Sequence, residues 1–326
     1  MKLLVTGGCG FIGSNFIRYW LTQHPDDTVV NFDALTYAGN PANLADLATH
    51  EKYQFIKGSI TDRQVVTEAM QGVDTVVHFA AESHVDNSIT NPLAFVETNV
   101  LGTAVLLDVA RQLGIKRFHH VSTDEVFGTL GQEGTFTKST PYDPRSPYSA
   151  SKAASDHLVR AYHHTYGLPV TISNCSNNYG PYQFPEKFLP LMIINLIQGK
   201  KIPVYGDGSN VRDWLQVLDH VRGIAAVLLK GKIGETYLLG GGTELSNLEL
   251  AKRVVRLMNK GEDQIEFVTD RQGHDWRYAI DASASEAELG WKPETDFDTS
   301  LQQTIDWYTT NTKWWQDILS GDYRKQ

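Results

Sequence analysis

The sequence predicts an α/β protein in which helices cover both faces of a doubly wound parallel sheet, with a smaller C-terminal lobe. Two observations carry this prediction. Short apolar strand segments alternate with helical patterns over the first half of the chain, and a glycine-rich loop lies between the first strand and the first helix. Strands that alternate with helices form parallel sheets, because each crossover helix packs back over the sheet.

The chain opens with a strand, a glycine-rich loop and a helix. Residues 3–6 are mostly apolar, and Gly7, Gly10 and Gly13 follow them directly. The backbone amides of such a loop can bind a pyrophosphate at the helix N-terminus. The second predicted strand ends at Asp33, whose carboxylate can accept both ribose hydroxyls and would repel a 2′-phosphate. The opening therefore predicts a Rossmann-type site for NAD rather than NADP.

The same alternation continues along the chain. Further strands are predicted at 28–32, 54–57, 75–79, 117–121 and 170–173, and helices at 63–70, at 94–113 and after Pro147. Beyond residue 173 proline, glycine and short strands dominate, but a helix at 224–229 and a strand at 236–239 are expected to return to the sheet. We therefore expect one lobe over residues 1–174, with a return segment near 213–245, and a second lobe over 175–326.

The composition is that of an ordinary globular protein, and it excludes several classes of function. The 326 residues carry 38 Asp and Glu against 29 Lys and Arg, and the net charge of −9 opposes binding to nucleic acid or anionic membranes. The two cysteines and the scattered histidines lack metal-ligand spacing, so no metal is expected. Without a signal peptide or a run of about 18 apolar residues, the expected location is the cytoplasm.

Two chemical features lie between residues 121 and 152. Thr123, Asp124 and Glu125 follow a predicted strand, at the sheet edge where ligands bind. Tyr148 and Lys152 fall one turn apart at the start of a helix. A tyrosine has an unperturbed pKa near 10, and the Lys152 cation is expected to lower it enough for use as a base. The tyrosine and lysine alone would be compatible with an ordinary helix, but together with the carboxyl pair and the glycine loop they indicate a catalytic site.

Motifs between residues 2 and 281 resemble the dTDP-glucose 4,6-dehydratase family of the extended short-chain dehydrogenases/reductases. They are T-G-G-C-G-F-I-G-S-N, D-A-L-T-Y-A-G-N, H-F-A-A-E-S-H-V-D, S-T-D-E-V-F-G, S-P-Y-S-A-S-K, S-N-N-Y-G-P-Y-Q-F-P-E-K, R-D-W-L and D-R-Q-G-H-D-W-R-Y-A-I-D. The adjacent Asp124 and Glu125 are the most specific mark. The resemblance implies bound NAD, a nucleotide sugar in the C-terminal lobe, and a homodimer built from helices of the first lobe.

The resemblance also implies individual site residues. The positions that match NAD contacts are Gly7, Gly10, Phe11, Ile12, Gly13, Asp33, Leu35, Thr36, Ser59, Ile60, Ala81, Thr98, Tyr148, Lys152 and Asn178. The positions that match contacts with the nucleotide sugar are Ser83, Thr123, Asn177, Lys187, Arg212, Asn247, Arg271 and His274. This second set contains guanidinium and ammonium groups, which suit a diphosphate.

The implied reaction converts dTDP-glucose to dTDP-4-keto-6-deoxyglucose and water, as in the biosynthesis of rhamnose and other deoxysugars. Tyr148 takes the proton of the 4-hydroxyl while NAD accepts hydride from carbon 4, and Thr123 orients the 4-oxygen. Glu125 then removes the proton of carbon 5, Asp124 donates to the departing 6-hydroxyl, and hydride returns to carbon 6.

Two other functions share these features in part. A nucleotide-sugar 4-epimerase uses the same NAD, tyrosine and lysine but does not need the acid and base pair at Asp124 and Glu125. A noncatalytic NAD-sensing protein of the same fold would be expected to lose Tyr148, Lys152 or the carboxylates, and all four are present. The sequence therefore favours the dehydratase.

Overall fold

The computed structural model describes residues 1–270 and 273–325. Its strands are β1 Lys2–Thr6, β2 Thr28–Asp33, β3 Tyr53–Lys57, β4 Thr75–His78, β5 Arg117–Thr123, β6 Val170–Cys175, β7 Asn177–Tyr179, β8 Ile202–Tyr205, β9 Val211–Gln216, β10 Thr236–Leu239, β11 Glu244–Ser246 and β12 Ile265–Val268. The strands predicted from the sequence over the first 175 residues all form, with ends that differ by at most two residues.

Twelve α-helices connect and cover these strands in the described residues. They are α1 Phe11–Gln23, α2 Arg63–Ala69, α3 Val85–Thr90, α4 Pro92–Phe95, α5 Thr103–Leu113, α6 Pro147–Tyr166, α7 Phe188–Ile197, α8 Val217–Lys230, α9 Asn247–Leu257, α10 Ser283–Leu289, α11 Phe297–Thr310 and α12 Thr312–Ser320. A π-helical segment, Val96–Gly102, joins α4 to α5, so the helix predicted at 94–113 is continuous but locally widened.

Seven strands form one wholly parallel sheet in the order β10-β6-β5-β4-β1-β2-β3. Buried apolar residues lie on both of its faces: α1 and α8 cover one face, and α2, α5 and α6 cover the other. The strand order reverses between β1 and β4, and ligands of such sheets bind in the crevice at the carboxyl ends near that point. The predicted doubly wound fold is therefore confirmed.

A second, smaller assembly follows β6. β11, β9 and β7 form one sheet and β12 pairs with β8, around a core that includes Met192, Ile193, Leu250, Val254 and Leu301. Within the expected return segment, β10 pairs with the main sheet and α8 packs against it, whereas β9 and β11 belong to this smaller assembly. The sequence analysis did not predict its helices. The apolar run of α7 shows no helical period, because that helix is buried on most sides.

The end of the chain returns to the first lobe. The indole Nε1 of Trp314 donates to Asn43 Oδ1 at 2.8 Å, and the hydroxyl of Tyr323 donates to the carbonyl oxygen of Tyr37. Both acceptors lie in the segment after β2. The last helices therefore brace the loop beside the crevice.

Candidate active site

The loop between β1 and α1 leaves room for a ligand only because its glycines lack side chains. A Cβ on Gly7, whose φ is +71°, would lie 2.6 Å from the backbone nitrogen of Ala80, and a Cβ on Gly13 would lie 2.4 Å from the Gly7 oxygen. No side chain caps the N-terminus of α1, which follows Gly10. This close-packed loop with uncapped amides fits the pyrophosphate of a dinucleotide.

Asp33 ends β2 at the edge of the crevice. Its Oδ2 accepts from the Cys9 amide at 2.9 Å, and its Oδ1 accepts from the Leu35 amide at 2.8 Å. Burial raises the pKa of Asp33, and these two amide donors act in the opposite direction. The carboxyl group is thus held in one orientation, in the position where an acceptor for ribose hydroxyls is expected.

A cavity of about 340 Å³ occupies the carboxyl edge of the sheet. All of the predicted NAD positions line it except Leu35, whose amide instead supports Asp33. Of the predicted sugar-nucleotide positions, four line the same cavity: Ser83, Thr123, Asn177 and Lys187. The cavity therefore joins the two predicted sites into one.

The carboxyl pair follows directly from the end of β5. Asp124 is 2% exposed, and Thr123 Oγ1 donates to its Oδ1 at 3.3 Å. Its Oδ2 has no hydrogen-bond partner among the described residues. Burial raises the pKa of Asp124 well above its usual value, and the nearby Glu125 and Asp213 raise it further. Asp124 is thus suited to carry a proton into the cavity.

Tyr148 and Lys152 are positioned by the start of α6. The hydroxyl of Ser146 accepts from the Ser149 amide at 3.0 Å in a reciprocal capping box, and Pro147 occupies the first turn. Lys152 Nζ donates to the carbonyl oxygen of Val121 at 2.9 Å. This bond ties the helix to β5 beside the carboxyl pair.

The expectation that Lys152 lowers the pKa of Tyr148 is wrong when only the groups of the protein act on that tyrosine. Burial raises the pKa of Tyr148 well above 10, and Glu125 and Cys175 act in the same direction. The pKa of Lys152 is itself lowered by burial. One buried ammonium group does not offset the loss of solvation that a tyrosinate would suffer here.

Two of the cavity-lining residues bring polar groups from different segments. Lys187, which precedes α7, donates from Nζ to the carbonyl oxygen of Ser83 at 2.9 Å. The Oδ1 of Asn177 is buried without a hydrogen-bond partner among the described residues. A buried acceptor of this kind in a cavity wall is suited to a ligand that donates a hydrogen bond.

Three further predicted sugar-nucleotide positions, Arg212, Asn247 and His274, lie outside the cavity wall. Arg212 donates to the carbonyl oxygens of Val211 at 2.7 Å and Asp275 at 2.8 Å, and its guanidinium lies 4.4 Å from the centre of the Tyr278 ring. Its charge nevertheless acts on Asp124, and there it opposes the rise in pKa that burial causes. Arg212 therefore lies close to the carboxyl pair.

Asn247 and His274 have partners within the second lobe. Asn247 begins α9, and its backbone amide donates to the backbone carbonyl oxygen of Asn210 at 2.9 Å. His274 Nδ1 lies 2.7 Å from Asp270 Oδ1. Arg271 lies outside the described residues.

Several cavity residues were not singled out from the sequence. They are Tyr37, Glu82, Cys175, Ser176, Gln183 and Phe184. Most of them follow the end of a strand within a few residues, as Glu82 follows β4 and Ser176 follows β6. Position just after a parallel strand was the signal that could have identified them.

Two of the buried histidines, His78 and His119, make hydrogen bonds to hydroxyl groups. The two ring nitrogens of His78 lie 2.7 Å from Thr6 Oγ1 and 3.0 Å from Thr103 Oγ1. His119 lies between two hydroxyls in the same way, and burial lowers its pKa to about 3. Within residues 1–270 and 273–325, no group of three possible ligands is placed to hold a metal ion.

A Rossmann-type sheet with this glycine loop, Asp33 and the tyrosine and lysine of α6 defines an extended short-chain dehydrogenase/reductase. A profile described as GDP-mannose 4,6 dehydratase matches residues 4–304. A dTDP-glucose 4,6-dehydratase of Xanthomonas campestris pv. campestris is 53% identical, over 98% of this chain and 97% of the relative. The chain therefore belongs to the dTDP-glucose 4,6-dehydratase family.

Solved structures agree with this assignment. DesIV, a dTDP-glucose 4,6-dehydratase from Streptomyces venezuelae with NAD and TYD bound, is 50% identical with a TM-score of 0.96, over 98% of this chain and 100% of that chain. The UDP-glucuronic acid 4-epimerase from Bacillus cereus, in complex with UDP-glucuronic acid and NAD, is 27% identical with a TM-score of 0.90, over 95% and 99%. The fold thus serves both reactions.

Proposed function

We propose that this protein converts dTDP-glucose to dTDP-4-keto-6-deoxyglucose and water through tightly bound NAD. The observation that carries the proposal is the buried carboxyl group of Asp124, whose pKa burial raises, beside Glu125 in the same cavity as Tyr148 and Lys152. Water loss needs an acid for the departing hydroxyl and a base for carbon 5, whereas epimerisation at carbon 4 needs neither. The carboxyl pair therefore favours the dehydratase over the epimerase.

The residues that line the cavity would hold NAD along the carboxyl edge of the sheet. The loop from Gly7 to Gly13 would bind the pyrophosphate, and Asp33 would bind the adenosine ribose. Tyr148 and Lys152 would lie at the nicotinamide end, which places the cofactor beside the sugar. When bound, NAD supplies a reversible hydride acceptor and a positive charge in its oxidised form.

The side chains of the chain itself move the protons. Tyr148 takes the proton of the sugar 4-hydroxyl, and Thr123 orients the 4-oxygen by a hydrogen bond. Glu125 takes the proton of carbon 5, and Asp124 protonates the leaving 6-hydroxyl, so that one water is released. Glu125 then returns a proton to carbon 5 as carbon 6 is reduced, and the proton that Tyr148 took from the 4-hydroxyl replaces the one that Asp124 lost. Burial raises the pKa of Tyr148, and the positive charge of the oxidised cofactor, when bound, would act together with Lys152 in the opposite direction.

The two lobes divide these tasks. In our proposal residues 1–174, with a return segment near 213–245, hold NAD, and residues 175–326 mainly hold the nucleotide sugar. Asn177 and Lys187 in the cavity wall support the second assignment, and Ser83 is proposed as a contact of the nucleotide sugar from the first lobe. Arg212, Asn247, Arg271 and His274 are proposed as further contacts of the nucleotide sugar.

The mass of the product tests this function. Incubation with dTDP-glucose, without added NAD, is expected to give a nucleotide sugar that is lighter by one water. An unchanged mass together with a change at carbon 4 would instead identify an epimerase. No turnover with dTDP-glucose, but turnover with another nucleotide sugar, would show that the substrate assignment is wrong.

We also propose a homodimer in the cytoplasm, formed through the first lobe. The helical stretch Pro92–Leu113 is long and apolar enough to cross a membrane by length and composition, as core helices of soluble proteins also can be. One side is fixed inside the fold, since Asn99 Nδ2 donates to Ser151 Oγ at 2.8 Å. The other side exposes Leu93, Val96 and Leu101, at 76%, 52% and 53%. A second copy would cover this apolar face.

Leu93→Glu is therefore expected to weaken dimerisation at least 100-fold, because burying a leucine contributes about 1.5 to 3 kcal/mol and a symmetric interface contains the site twice. Sedimentation equilibrium measures the association. Leu229→Glu, at a leucine on α8 that is 52% exposed, is the matched control and should leave association unchanged. Equal association of both variants with the unmodified protein would exclude this face.

A further inference from the structure

A buried polar cluster lies behind Lys152, between α6, β5 and β6. At its centre is Asp156, which follows Lys152 by four residues on α6 and is fully buried. Residues four apart on a helix lie on the same face, so both side chains point toward the sheet. Neither the acid and base chemistry nor the cofactor site described above uses Asp156.

The carboxylate of Asp156 is surrounded by hydrogen-bond donors. Its Oδ2 accepts from the Tyr142 hydroxyl at 2.7 Å, from Ser122 Oγ at 3.0 Å and from Asn174 Nδ2 at 3.2 Å. Its Oδ1 lies 3.2 Å from Nε2 of His120. Three separate segments of the chain thus fix one carboxyl group in a single orientation.

The charge of this carboxylate is not neutralised by its histidine neighbour. Burial raises the pKa of Asp156, but the nearby His120 ring, Lys152 and the Tyr142 hydroxyl act in the opposite direction and outweigh burial, so the net pKa is lowered. Burial lowers the pKa of His120 to about 4, so the imidazole is neutral near pH 7. Asp156 therefore remains an anion between two basic residues of α6, Lys152 one turn before it and Arg160 one turn after it. Arg160 donates to the Tyr142 hydroxyl at 2.8 Å, and its charge acts on His120 as that of Lys152 does.

Lys152 in turn lies among groups that differ in charge. Tyr148 and Asp156 lie on its own helix, His78 comes from β4, His120 from β5 and Cys175 from β6. Burial lowers the pKa of Lys152, and Asp156 acts in the opposite direction, ahead of Cys175. Among the described groups that act on its charge, only Asp156 is a carboxylate.

We propose that Asp156 is a positioning residue whose negative charge, one helical turn from Lys152, keeps that lysine charged, while Tyr142, Ser122, Asn174 and His120 hold Asp156 in place. The inference rests on the role proposed above for Lys152 in catalysis and cofactor binding. Its physical basis is that a buried ammonium group needs a fixed counter-charge.

Asp156→Asn tests this inference with little change of shape. The amide oxygen can still accept from Tyr142, Ser122 or Asn174, and the amide nitrogen can donate to the other tautomer of His120. Loss of the negative charge should lower the pKa of Lys152 by about one unit or more. In protein labelled with ¹³C at lysine Cε, the resonance absent from Lys152→Met should titrate at a correspondingly lower pH.

The same change should appear in the pH profile of NAD reduction by substrate. The lysine contributes only while it is charged, so the alkaline limb should move to lower pH in Asp156→Asn. Tyr142→Phe removes one hydrogen bond to Asp156 but leaves the charge, and it should keep the alkaline limb and the Lys152 titration in place. Asp156→Glu keeps the negative charge, so it should restore both the alkaline limb and the Lys152 titration of the unmodified protein.

If Asp156→Asn does not fold, Asp156→Ser takes its place with the same expected shift, because it leaves room for a water molecule. A folded Asn or Ser variant in which Lys152 titrates as in the unmodified protein would overturn the inference. That outcome differs from failure of the proposed function, which would appear as no loss of water from dTDP-glucose in the unmodified protein.

Discussion

Asp124→Asn is expected to slow water loss by about 100- to 10,000-fold while substrate still reduces bound NAD. Burial raises the pKa of Asp124 and keeps the proton that the departing 6-hydroxyl requires, and an asparagine cannot release such a proton. Glu125→Gln should have an effect of similar size, because it removes the base for carbon 5. Tyr148 and Lys152 are intact in both variants, so oxidation at carbon 4 should persist.

The two steps can be measured separately in one experiment. Rapid mixing with dTDP-glucose follows the absorbance of the reduced nicotinamide, and mass spectrometry of quenched samples follows water loss. Asp143→Asn, at an exposed carboxylate, is the control and should behave as the unmodified protein. Release of a dehydrated sugar at the unmodified rate by both active-site variants would mean that the carboxyl pair is structural.

The dehydration step should also depend on pH in a defined direction. Asp124 acts only in its protonated form, and burial raises its pKa. Water loss should therefore remain fast at low and neutral pH with respect to this group, and should fall as the pH rises through the raised pKa. In Asp124→Asn this alkaline decrease should disappear.

Tyr148→Phe is expected to abolish oxidation at carbon 4, with a loss of at least about 100-fold. Only the hydroxyl is removed. The ring, whose centre lies 6.2 Å from that of Phe95, keeps its packing, so the fold and NAD binding should be retained. The measurement is the absorbance of reduced nicotinamide after addition of substrate, together with the amount of NAD that copurifies.

Tyr162→Phe provides the matched control on the same helix. This tyrosine lies about four helical turns beyond Tyr148 and outside the cavity, so reduction of bound NAD should proceed at the unmodified rate. A Tyr148→Phe protein that reduced NAD equally fast would require a different base for the 4-hydroxyl.

The sequence was sufficient for the parts of the site that depend on local rules. The glycine loop, Asp33 and the start of α6 each follow from residues that are close in sequence, and the structure places them at one edge of the sheet. Asp124 and Glu125 were also located correctly, because they follow β5 directly. Short-range backbone geometry determines all of these positions.

Contacts between residues far apart in the sequence determine the features of the site that could not be predicted from the sequence. The hydrogen bonds that surround Asp156 come from residues as far away as Ser122 and Asn174 in the sequence, and no periodic pattern marks them. The pKa of Tyr148 was expected to fall, but it depends on how completely folding removes water from the ring. The guanidinium of Arg212 likewise donates to the backbone carbonyl of Asp275, which only the folded chain brings near.

The central claim is that hydride leaves carbon 4 of the sugar and returns to carbon 6 of the same molecule through NAD that stays bound. Turnover of dTDP-glucose deuterated at carbon 4, without added NAD, tests it directly by mass spectrometry and NMR of the product. We expect loss of one water and deuterium at carbon 6. A product of unchanged mass, or a dehydrated product without deuterium at carbon 6, would contradict this account.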